Sequence, residues 1–67
     1  MISFFLNGEK VTASPGQTLF DLLTSHGLIQ KKIAVEIDGA IIPRGEFRKR
    51  IVENNDRIEI VTAVGGG

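Results

Sequence analysis

At 67 residues, with eight Lys plus Arg against eight Asp plus Glu, the chain is one small domain of zero formal charge, and a domain of that size buries only about 60% of the surface its unfolded form exposes. Little is left over for enclosing a catalytic pocket. It has no Cys and a single His, which excludes disulfides, Cys-based metal sites and a His cluster, while the balanced charge lacks the basic excess that phosphate-backbone binding needs.

Ile2 to Leu6 is an apolar run, Asn7-Gly8 is a strong two-residue hairpin signal, and Glu9 to Ala13 returns with Val11 and Ala13 on one side. Ser14-Pro15-Gly16-Gln17 follows, with Pro and Gly at the central positions of a type II turn. Thr18 with Asp21 three residues later predicts a capped helix start, and Leu19, Leu22, Leu23 and His26 fall on one helical stripe. Gly27 suits the residue just past the helix end. His26, beside it, is expected to contact the last carbonyls rather than to catalyse.

Ile33, Val35 and Ile37 alternate along a third strand, and Asp38-Gly39 turns it into Ala40-Ile41-Ile42. Pro43 limits that fourth strand to a short or edge position. Arg44 to Asn55 is polar apart from Phe47, Ile51 and Val52, which predicts an irregular or single-turn helical connection pinned to the core by those three side chains. Arg57 to Val64 is the last strand, with Ile58, Ile60, Thr62 and Val64 on one face and Val61 and Ala63 on the other. The order β-β-α-β-β-β, with its first and last strands the most apolar, predicts a β-grasp: a mixed sheet of about five strands, those two side by side at its centre, and one helix across one face. Residues 1–64 form the domain and 65–67 a flexible glycine tail.

The tail carries the expected chemistry. Gly65-Gly66-Gly67 lacks side chains, so it can thread a narrow slot and extend roughly 10 Å beyond the fold. A carboxylate at its tip is a poor electrophile until activated from outside, for example as an acyl adenylate. No Walker A, GxGxxG, HExxH or Cys nucleophile is present, so the chain is expected to supply an acyl end to another enzyme and not to be one. A frayed terminus or linker is the competing reading of three glycines. Phe5, Val61 and Ala63 oppose the core residues in parity and would make a partner surface, unless the 44–55 segment covers that face. Arg44 is a further candidate for partner contact, within a basic run with Arg48, Lys49 and Arg50 that Glu46 and Glu53 dilute. A chain opening on Met1-Ile2-Ser3-Phe4 without a signal-type stretch, and with no run near ~20 apolar residues, is expected to be cytoplasmic, with neither membrane nor nucleic acid as partner.

Several segments together resemble the ThiS family, the small sulfur carriers of thiamine thiazole biosynthesis. They are Asn7-Gly8-Glu9, Gly16-Gln17-Thr18-Leu19 with Asp21-Leu22-Leu23, Gly27-Leu28, Ala34-Val35-Glu36, Ile42-Pro43-Arg44 with Phe47, and Asp56 to Val61 running into Val64-Gly65-Gly66-Gly67. Asn55 replaces a frequent Gly and Phe47 a frequent Trp; Asn tolerates a left-handed backbone and Phe keeps an aromatic plug. The resemblance implies that a ThiF-like adenylyltransferase activates the Gly67 carboxylate with ATP and Mg²⁺. Sulfur from a cysteine desulfurase persulfide would convert Gly67 to 1-thioglycine, and a ThiG-like thiazole synthase would take it. The carrier itself binds no cofactor in this scheme; Gly65 and Gly66 are the thread and Val64 its base. A MoaD-like carrier for molybdopterin, a protein-modifying ubiquitin-like tag and a plain β-grasp binding module are the alternatives.

Overall fold

The computed structural model describes residues 1–62. Five strands run β1 (Ile2–Leu6), β2 (Glu9–Ala13), β3 (Ile33–Ile37), β4 (Ala40–Ile42) and β5 (Arg57–Thr62), with helix α1 (Leu19–Ser25) after β2 and a single 3₁₀ turn, Arg44–Glu46, after β4. The sheet order is β2-β1-β5-β3-β4. β1 and β5 pair in parallel at the centre, and the β1–β2 and β3–β4 hairpins flank them. The expected adjacency of first and last strands holds, and β4 is the edge strand that Pro43 demands.

Local chemistry accounts for each turn. Asn7-Gly8 and Asp38-Gly39 all take positive φ, as a two-residue type I′ hairpin requires. Gly16 has φ +97°, the value a type II turn needs after Pro15. At the start of α1, Thr18 Oγ1 accepts from the Asp21 amide and the Asp21 carboxylate accepts from the Thr18 amide, a reciprocal capping box. Its end is a Schellman motif: Leu28 N–H donates to Leu23 O and Gly27 N–H to Thr24 O, with Gly27 at φ +69°. The helix stops one residue before the apolar stripe would have placed His26 in it. His26 is instead the exposed C-cap, its Nδ1 3.0 Å from Leu22 O.

The core is one cluster of Phe4, Leu19, Leu22, Leu23, Val35, Ile37, Phe47, Val52 and Ile58. Phe47 and Val52 belong to it because the 44–55 segment lies beside α1 on the same face of the sheet. Phe20 N–H donates to Phe47 O, Leu19 N–H to Arg50 O, and Val52 N–H to Gln17 O. Two of the three expected pins are therefore correct, and the third is not. Ile51 is 47% exposed, bridging Thr18 through its backbone while its side chain faces out. Phe47 and Val52, five residues apart, both turn inward, and Ile51 beside Val52 turns outward.

Asp56 is the one buried charged residue among those described, at 5% exposure. Its carboxylate accepts from Arg50 Nη2 at 3.0 Å and from the Glu53 amide at 2.8 Å, so the burial is compensated. The left-handed Asn55, φ +70°, precedes it, and Asn55 N–H donates to Ser3 O. This knot fixes where β5 begins against β1.

Candidate functional site

Confinement of both α1 and the 44–55 segment to one face leaves the other face of the sheet open among the described residues. Its rows follow from the register. At one end lie Lys10, Phe5 and Arg57, side by side across β2, β1 and β5. The middle row is Glu59, Glu36 and Ile41, and the last is Val61 beside Ala34. Val61 is 61% and Ile41 72% exposed, too much apolar surface to be explained by the core. Phe5 is half-buried, with the Arg57 guanidinium 5.6 Å from its ring centroid.

Of the sequence-derived surface residues, Phe5 and Val61 share one face but not one spot. Phe5 sits opposite Arg57, four residues from Val61 along β5, or about 13 Å at roughly 3.3 Å per residue. Ala63, Val64 and the tail glycines Gly65, Gly66 and Gly67 lie outside the described residues.

Arg44 and Val61 do come together. With Lys32, Ile33 and Ala34 they line a shallow depression of about 390 Å³ beside the end of the β3–β5 ladder. The same Arg44 forms a wall of a second cleft of about 330 Å³, between Phe20, Ile29, Gly45, Phe47 and Arg48. Its guanidinium is not a free charge: Nη1 donates to Ile29 O and Nη2 to Lys31 O, both at 3.0 Å. The rest of the basic run disperses similarly. Lys49 lies 3.9 Å from Glu46, Arg50 is held by Asp56, and Arg48 lies 3.8 Å over the Phe20 ring. Among the described residues this run forms no continuous basic patch.

Three features of the site escaped sequence reasoning. Asn7 Oδ1 accepts from Ile60 N–H at 2.7 Å, one more rung on β5 after the β1 ladder has ended at Leu6 opposite Ile58. The Asn-Gly pair already had a sufficient explanation as a turn, so this second role left no separate signal. Ile41 needed the β3–β4 register to be placed on the open face. So did the juxtaposition of Glu36 with Glu59, like charges directly opposite that weaken the pairing and have no salt-bridge partner among the described residues. The described residues also hold no cluster of three or more His, Cys, Asp or Glu able to bind a metal, and no helix long and apolar enough to cross a membrane.

One helix grasped by a five-stranded mixed sheet, with a glycine run beginning three residues after the last residue of the central strand, defines a ubiquitin-like β-grasp domain. The model of the ThiS family matches residues 4–67, glycines included, and the chain belongs to that family of sulfur carriers of thiamine biosynthesis. It is 27% identical to the sulfur carrier protein ThiS of Escherichia coli, over 98% of this chain and 100% of that one. It is 40% identical over 62 residues to a thiazole synthase of Magnetococcus marinus; that match takes in 92% of this chain but only 19% of the synthase. The crystal structure of the thiamine biosynthesis protein ThiS from Geobacter metallireducens superimposes with a TM-score of 0.82 at 25% identity, covering 98% of this chain and all of that one.

Proposed function

We propose that this chain carries sulfur as a thiocarboxylate on Gly67 and donates it to the formation of the thiamine thiazole. The observation that carries the reading is the family match extending through Gly67. In the proposed cycle the Gly67 carboxylate attacks the α-phosphorus of ATP in a ThiF-like partner, giving an acyl adenylate and pyrophosphate. Mg²⁺ and cationic groups of that partner offset the developing charge. A persulfide supplied through a cysteine desulfurase attacks the acyl carbon and AMP leaves. A thiol then cleaves the sulfur–sulfur bond, so that the thiocarboxylate departs as the thiol becomes a disulfide. The match to part of a thiazole synthase supports a ThiG-like consumer, because there a segment like this chain belongs to the same polypeptide as the synthase. This chain supplies the acyl end and a docking surface, and none of the catalytic groups.

Incubation with a ThiF-type adenylyltransferase, Mg-ATP, a cysteine desulfurase and cysteine is expected to replace one oxygen by sulfur in the intact mass. An unchanged mass, with an enzyme that converts a known carrier in parallel, would refute the reading.

The open face provides its recognition surface. Val61→Asp adds a third carboxylate near Glu59 and Glu36 at a largely exposed side-chain position, so the fold is expected to survive while the KM for the adenylyltransferase rises roughly tenfold or more. Unchanged circular dichroism with an unchanged KM would remove Val61 from the interface.

A further inference from the structure

We propose that Arg44 is a positioning residue for the carboxyl tail: its guanidinium fork locks the 28–32 loop to the body of the fold and so holds the end of the β3–β5 ladder, from which residues 63–67 continue. The functional half of this proposal rests on the carrier reading above; the structural half rests on geometry alone. Nη1 and Nη2 reach the carbonyls of Ile29 and Lys31 at 3.0 Å each, across sequence separations of 15 and 13 residues. One rigid planar group bridging two carbonyls of a single loop fixes the loop's path as well as its distance.

Arg44 is itself anchored from below. It follows Pro43 at φ −63° and opens the 3₁₀ turn, where Phe47 N–H donates to Arg44 O at 3.1 Å. Its guanidinium lies 5.6 Å from the ring of Phe47, a side chain only 2% exposed. The loop it holds enters β3 at Ile33, and Ile33 pairs with Thr62, the last described residue of β5. The β1 ladder ends at Leu6 opposite Ile58. From there β5 is supported on that side by the Asn7 side chain at Ile60, so the start of β3 is the principal rail for residues 60–62.

A loosened rail would let the end of β5 fray and so move back the last fixed point before residues 63–67. Each frayed residue adds up to roughly 3.5 Å of slack, so the acyl carbon is spread over a larger volume and spends less time in the reacting pose. Arg44 therefore acts on reaction through orientation, although it also lines the depression beside Val61.

Amide hydrogen exchange on the free protein tests the structural half. In Arg44→Ala, which removes both carbonyl contacts, exchange at residues 33–35 and 60–62 is expected to quicken roughly tenfold or more, with β1 and β2 unchanged. Arg44→Lys, a single-point donor, restores part of the protection. Unchanged exchange, or a rise spread evenly over β1 and β2, overturns the proposal. In the kinetic arm, adenylation of Arg44→Ala loses kcat while KM and its salt dependence stay as in the wild type. A rise confined to KM, with an altered salt dependence, overturns it in favour of direct docking by Arg44. Failure of the wild type to be adenylated refutes the carrier reading and leaves the exchange result to stand or fall by itself.

Discussion

Deleting Gly67, or appending one leucine after it, abolishes thiocarboxylate formation and leaves the thermal unfolding midpoint unchanged. Both halves of this expectation follow from where the change falls. Among the described residues no member of the core cluster lies beyond Ile60, and a change at position 67 alters none of those side chains. Removal of one residue retracts the reacting carbon by up to about 3.5 Å along the thread, whereas a misplacement near 1 Å already costs on the order of 100-fold in an oriented reaction. The appended leucine does not retract the acyl group but changes its identity. Gly67 becomes an amide, and the new carboxylate is attached to a carbon bearing a bulky branch in place of a glycine Cα, which a slot wide enough only for glycine would refuse. Intact-mass spectrometry of each variant after reaction with the adenylyltransferase, ATP and a persulfide source reads the outcome directly. A variant converted at even a tenth of the wild-type rate would move the reaction away from Gly67. Replacing Gly66 by Ala is a gentler probe of the channel, since it keeps the length and adds one methyl group.

How much of this was open to sequence reading differs by element. The hairpins were legible because Asn7-Gly8 and Asp38-Gly39 satisfy a demand for positive φ at two successive positions, and few other pairs do so. The helix was legible at both ends because Thr18, Asp21 and Gly27 act on backbone groups within a few residues of themselves. The side of the sheet taken by residues 44–55 was not legible. Alternation divides β1 and β5 into two faces and is silent on which one receives a distant segment. The choice is made by Phe47 and Val52 packing with Leu19, and by backbone bonds from Leu19, Phe20 and Val52 to partners tens of residues away in the chain. Asp56 escaped for the same reason. An acidic residue after two asparagines reads as a solvated turn, and only the approach of Arg50 and the Glu53 amide makes its burial possible. At the site, residue types were easier to read than contacts. Parity placed Val61 on the face opposite the core residues, but the openness of that face and the commitment of Arg44 to two carbonyls required the fold.

Phe47→Ala and Ile51→Ala, four positions apart in one irregular segment, should differ in stability by several kcal/mol. Phe47 is 2% exposed and packs in the core with Leu19 and Val52, whereas Ile51 is 47% exposed. Truncating a buried Phe to Ala costs about 3–5 kcal/mol through lost transfer energy and the cavity left behind. The same truncation at a half-exposed Ile on a segment free to relax costs about 1 kcal/mol or less. A core of this size rarely supplies more than about 3–5 kcal/mol in total. Phe47→Ala is therefore expected to be largely unfolded at room temperature, while Ile51→Ala shifts its urea midpoint only slightly. Urea denaturation followed by far-ultraviolet circular dichroism checks both, and similar midpoints for the two variants would mean that the 44–55 segment is not held by its aromatic ring. The consequence reaches the tail through Arg44, which sits on that ring. Phe47→Leu, which keeps much of the buried volume but removes the π face, should retain the fold and still quicken exchange at residues 33–35. Packing and the orientation of the acyl end would then be separable at one side chain.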